Sequence, residues 1–179
     1  MGLAELLERK KNDIIDLWFD HLMKSYPPDT AQFYKGQKDP FANPVGTTTK
    51  QGLSKIFNEI LGDMDRKTLV ANLDTIIRIR AIQNFTPSDA LAFIFELKKI
   101  LRKALKKELK NIEQLEILNQ IENKIDRLNM MAFDIYLQCR EKIYELKVST
   151  EREKIYKAFA RAGLITEAFE EEEPGLKAS

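Results

Sequence analysis

A chain of 179 residues with a net charge of +1, 44% hydrophobic and 32% charged, is long enough for one domain with its own core and too evenly charged to be a simple polycation for nucleic acid. Seven glycines and six prolines are too few for a turn-rich all-β sandwich. A single cysteine excludes an intramolecular disulfide framework and a multi-cysteine metal site, and it suits a reducing cytoplasm.

The N-terminus does not read as a signal peptide, because Glu5, Glu8, Arg9, Lys10 and Lys11 interrupt any apolar run. Leu3, Leu7, Ile14, Leu17, Trp18 and His21 lie on one side of a predicted first helix from about Leu3 to Ser25. Tyr26-Pro27-Pro28-Asp29 ends it, and a long irregular connection is expected to about Thr47, folded back on the core by Phe33, Tyr34, Phe41 and Val45. A second helix is expected over Thr47 to Leu61 and a third over Arg66 to Asn84.

Thr86-Pro87-Ser88-Asp89 is the clearest helix start, with a cap, a proline at the first helical position and an acid in the first turn. The fourth helix runs from there to about Lys107 and is apolar nearly all round early on, which places it centrally. Next comes a stripe of Leu118, Ile121, Ile125, Leu128, Ala132, Ile135 and Cys139, spaced alternately by three and four. That is the seam of a helix packed on other helices, expected over about Asn111 to Leu146 and either internal or between subunits. Ser149 or Thr150 can cap a last helix ending at Gly163. The domain is expected over residues 1–165, with residues 166–179, including Glu170 to Glu173, as an acidic disordered tail. No stretch approaches the roughly 20 apolar residues of a membrane span. A cytoplasmic all-α bundle of about six helices, not inserted in a membrane, is the expectation.

No Ser-His-Asp set, Cys–His pair, Walker A loop or dinucleotide-binding glycine motif occurs. No catalytic residue, metal site or cofactor is therefore assigned. His21, near a helix C-terminus, reads as a capping imidazole in preference to an axial haem ligand. Cys139 reads as a small hydrophobe of the seam. Arg80 is the anomaly: Leu73, Ile77, Arg80 and Asn84 share one face, so a cation stands where an apolar residue is the default. Two readings stay open: a core ion pair with Asp126, Asp134 or Glu96, or an anion anchor. Asp74 and Arg78 form an i,i+4 pair beside it. Lys98, Lys99, Arg102, Lys103, Lys106, Lys107 and Lys110 make a basic face, either solvated or docking an acidic partner or a membrane surface through Lys99, Arg102, Lys103 and Lys106. Nucleic acid is not expected, for want of interleaved exposed aromatics or a nucleic-acid fold motif.

Three segments together resemble the RsbRD N-terminal domain family, named after the RsbR-type co-antagonists of the RsbT kinase. They are Asp39 to Gly46, Leu73 to Arg102 and Ile125 to Val148, within a likeness covering roughly residues 4–162. The positions carried over are Asn43, Pro44, Gly46, Arg78, Arg80, Gln83, Phe85, Pro87, Asp134, Tyr136, Cys139, Arg140 and Glu141. The resemblance implies a sensory or signalling module, and by analogy a dimeric, globin-like helical fold without haem. Such modules precede a STAS domain; this sequence stops at Ser179, so a stand-alone module is expected and kinase partner-switching is not carried over. The reading is a regulatory domain that binds a small ligand or a partner protein without catalysis. The ligand set is Arg80, Arg78, Asn84, Asp134, Tyr136 and Cys139, with Asn43 and Pro44 from the loop. The alternatives are an interaction scaffold docking through the basic face, or a globin-like cofactor binder.

Overall fold

The computed structural model describes residues 2–37, 39–83, 85–109 and 111–164. Among these residues there are six helices and no strand: α1 (Leu3–Met23), α2 (Pro28–Gly36), α3 (Pro44–Leu61), α4 (Arg66–Ile82), α5 (Pro87–Leu105) and α6 (Ile112–Arg161). The all-α bundle expected from the periodicity is present. The predicted acidic tail lies outside the described residues.

The helix count agrees with expectation, but two of its contributions differ. The segment after Met23 holds α2, where an irregular connection was expected. Pro28 occupies the first helical position, where a missing N–H costs nothing, and Asp29 complements the helix dipole. The prolines that stop α1 therefore start the next helix. The predicted last two helices are one, because Thr150 turns its hydroxyl back to the Leu146 carbonyl at 2.8 Å instead of capping a new start. That helix stops as expected at Gly163, whose φ of +68° lets Leu164 N–H reach the Phe159 carbonyl at 3.0 Å.

The chain divides into two units, Met1–Arg140 and Glu141–Ser179, with α6 contributing to both. In the first unit α1 packs on α3 and α5, and α3 on α4. Gly52 allows the last approach, since a Cβ there would stand 3.3 Å from Ile76 Cδ1. All seven stripe residues of α6 are buried, so the seam is internal to this unit. Trp18, wholly buried on α1, donates its indole N–H to the Phe93 carbonyl of α5 at 2.7 Å, so a large apolar surface is buried with its one polar atom satisfied. The α1 face is wider than the sequence reading, including Leu6, Ile15, Phe19, Leu22 and Met23, while Leu17 is exposed. On α5, Ala90, Leu91, Phe93, Ile94 and Leu97 are buried as expected, but Ala92 and Phe95 face solvent.

Two lysines finish helix ends across the bundle. Lys124 of α6 donates to the Ile60 and Gly62 carbonyls at 3.0 and 2.6 Å, and Lys10 of α1 to the Ala104 carbonyl at 2.6 Å. Cations are favoured there by the last unsatisfied carbonyls and the dipole. The second unit, described to residue 164, is the C-terminal part of α6 and its cap, with Val148, Ile155, Tyr156 and Phe159 exposed.

Candidate functional site

Arg80 occupies the last turn of α4 and is 1% exposed. Its Nε donates to the Ala90 carbonyl at 3.1 Å and one terminal nitrogen to the Asp89 carbonyl at 2.8 Å, both in the first turn of α5. Three rings surround the guanidinium, with centroids 4.2 Å (Phe85), 5.4 Å (Tyr26) and 6.0 Å (Phe93) from its central carbon. Nη1 is buried without a hydrogen-bond partner. Burial lowers the pKa of this guanidinium, opposed by the facing Tyr26 phenol. Burial likewise pushes the Tyr26 phenol up, and Arg80 pulls against that shift.

None of the three carboxylates expected as partners reaches Arg80. Asp126 pairs with Lys98 at 2.6 Å, Glu96 with Lys99 at 2.6 Å and with His21 at 3.6 Å, and Asp134 is exposed on α6. The cause is positional: the end of α4 meets the start of α5, so the nearest acceptors are main-chain carbonyls. Aromatic faces and the charge of the Asp89 carboxylate add further electrostatic compensation.

Tyr26 extends the cluster in two directions. Its ring meets Phe85 at 5.3 Å and Tyr34 of α2 edge-on at 5.4 Å. Phe85 in turn offers its carbonyl to the Tyr136 hydroxyl of α6 at 2.5 Å. One turn further along, Arg140 donates to the Ala81 carbonyl at 3.1 Å. Arg80, Phe85, Tyr136 and Arg140 therefore converge at the α4–α5 junction.

Other expected site residues lie elsewhere. Arg78 points outward, held by Asp74 at 2.7 Å as the spacing predicted, and this hydrogen bond raises its pKa. Cys139 is buried in the seam. Asn84 lies outside the described residues. Asn43 is 1% exposed: its side chain accepts from Gly46 N–H at 2.9 Å and donates to the Tyr34 and Gln37 carbonyls at 2.8 and 2.9 Å. It caps α3, with Pro44 at the first helical position, and ties that start to the end of α2. The Asn-Pro pair is the signal for this cap, and it starts α3 three residues before Thr47.

Beside this corner, α1, α2 and α3 border an open cleft of about 350 Å³, lined by Phe19, Tyr34, Lys35, Thr47, Lys50 and Gln51 among others. Asn43, expected as a site residue from the loop, also lines it; sequence reasoning missed the rest, because the cleft depends on α2. The basic face of α5 is partly neutralised by α6 and by its own helix. Arg102 holds Glu122 through two nitrogens, each at 2.6 Å, which raises its pKa, and Lys99 is joined to Glu96. Lys103 and Lys106 are exposed. Among the described residues no group of three or more His, Cys, Asp or Glu side chains is placed to hold a metal ion, and no helix is long and apolar enough to cross a membrane.

Comparison with known proteins places these positions in context. An uncharacterized protein of Archaeoglobus fulgidus is 28% identical over 145 residues, covering 79% of this chain and 83% of the relative. No solved structure matches the chain. Residues 12–148, which hold the cleft, the Arg80 cluster and the buried seam, match the family described as the RsbT co-antagonist protein rsbRD N-terminal domain. The chain belongs to the RsbRD N-terminal domain family.

Proposed function

We propose that the domain is a sensory and regulatory module that acts by binding, without turnover, and that the Arg80 cluster links the cleft to α6. One observation carries this reading: Tyr34 belongs to both, lining the cleft and packing edge-on against Tyr26. From Tyr26 the contacts run through Arg80 and Phe85 to Tyr136. A contiguous packed chain of this kind is a physical route for coupling.

Amide hydrogen exchange on the full chain tests the proposal. Tyr34→Ala is expected to speed exchange in α2 and in residues 132–140 of α6, while residues 54–61 of α3 keep their protection. Faster exchange confined to α2 and its junction with α3 would refute the link.

A second reading is favoured by Met130, Phe133 and Leu137, which are large, exposed and spaced by three and four on α6. They form an apolar face within the first unit, suited to a second copy of the chain as the resemblance implies. Sedimentation equilibrium is expected to give a dimer that Leu137→Glu converts to monomer. A monomer at every concentration would end this reading.

A further inference from the structure

The cleft between α1, α2 and α3 has a definite chemical character. Its apolar wall is Phe19 and Tyr34, and every charged side chain lining it among the described residues is a lysine. Lys35 comes from α2 and Lys50 from α3. Each is tethered from outside by a carboxylate of α1, Lys35 to Asp20 at 2.8 Å and Lys50 to Asp16 at 2.6 Å. The two aspartates are one helical turn apart, so a single face of α1 holds both ammonium groups. Neither aspartate lines this cleft, although Asp16 borders the adjoining depression that also contains Lys50. Each ammonium has three donors, so it can serve its aspartate and a ligand together. The Lys50 ammonium also lies 6.0 Å from the Phe19 ring centroid, which brings charge and aromatic surface to the same place.

Resting on the binding reading above, we propose that this cleft takes a small organic carboxylate with a planar apolar body. The carboxylate would lie between Lys35 and Lys50, and the body against Phe19, Tyr34 and the lysine methylenes. Two considerations select this class. Each lysine already shares its charge with an aspartate, which leaves enough for a monoanion and little for a phosphate dianion. No arginine fork, the usual device for phosphate, is among the described lining residues. The volume, at the lower end of ligand pockets, accommodates a single-ring carboxylate. Thr47 and Gln51, lining residues of α3, would supply neutral polar contacts that orient a ligand without adding charge.

Titration of the isotopically labelled full chain with sodium benzoate tests this, with benzamide and inorganic phosphate as controls. Saturable shifts are expected at Tyr34, Thr47 and Gln51, half-complete at about 1–10 mM for so small a ligand. Benzamide should leave them unmoved. Lys50→Met and Lys35→Met, both at exposed positions, should each weaken benzoate about fivefold. Absence of saturable shifts, equal binding of benzamide, or equal binding of phosphate would each overturn the assignment. Benzoate shifts at the cleft with unchanged exchange in α6 would keep the site and refute the sensory link. No benzoate binding, with Tyr34→Ala still loosening α6, would do the reverse.

Discussion

Arg80→Ala is expected to lower the unfolding free energy by about 3–4 kcal/mol, because it empties a large buried volume and leaves three rings without the group they enclose. The side chain is among the largest fully buried ones in the domain. Its two hydrogen bonds and its closest ring join the end of α4 to the start of α5. The charge itself contributes less than the volume. Removing a buried cation that lacks a carboxylate partner also removes its desolvation cost, so Arg80→Met should stay within about 1 kcal/mol of the parent. Urea unfolding of the three proteins distinguishes the terms. A loss below about 1 kcal/mol in Arg80→Ala would mean that the cluster is loosely packed. Arg80→Glu, which buries an anion against carbonyl oxygens and aromatic faces, should prevent folding.

Gly46→Ala is expected to cost about 3 kcal/mol, combining overpacking with loss of the α3 cap. A Cβ at this position would stand 2.5 Å from the Tyr34 carbonyl oxygen and from Asn43 Nδ2, and 2.7 Å from Asn43 Oδ1. The first neighbour is backbone and cannot swing aside. The other two belong to the side chain that holds α2 and α3 together, so relief of the clash breaks the corner. Gly52→Ala is the control. Its nearest neighbour is the flexible tip of Ile76 at 3.3 Å, and the gain of about 1 kcal/mol in helix propensity offsets the crowding. Thermal melts should show a fall of many degrees for Gly46→Ala and little change for Gly52→Ala. Equal melting of both variants would show that the Asn43 corner does not hold α2 and α3 together.

The sequence was most legible where one period dominated. The α6 stripe from Leu118 to Cys139 repeats every three or four residues, and every member is buried. Thr86-Pro87 and the Asp74–Arg78 pair were also readable, because caps and i,i+4 pairs depend only on neighbours in the chain. Arg80 was legible as an anomaly, but its partners were not. Its acceptors are main-chain carbonyls that any sequence carries, and its rings come from three separate places, at positions 26, 85 and 93. In the region before Thr47 the expectation uses the prolines only as stops, an error that the reading of Pro87 as a helix start avoids. Pro28 and Pro44 each occupy the first position of a helix. The cleft followed that error, since one wall of it is Tyr34 and Lys35 of α2.

On the proposed reading, Tyr34 at the cleft and Tyr136 on α6 are energetically joined through Tyr26, Arg80 and Phe85. A double-mutant cycle of Tyr34→Leu and Tyr136→Phe, measured by urea unfolding of the full chain, tests this without a ligand. The expected result is a departure from additivity of about 0.5–1 kcal/mol, which disappears when Tyr26→Leu is present in all four proteins. Effects that add to within about 0.3 kcal/mol in the parent background would contradict it.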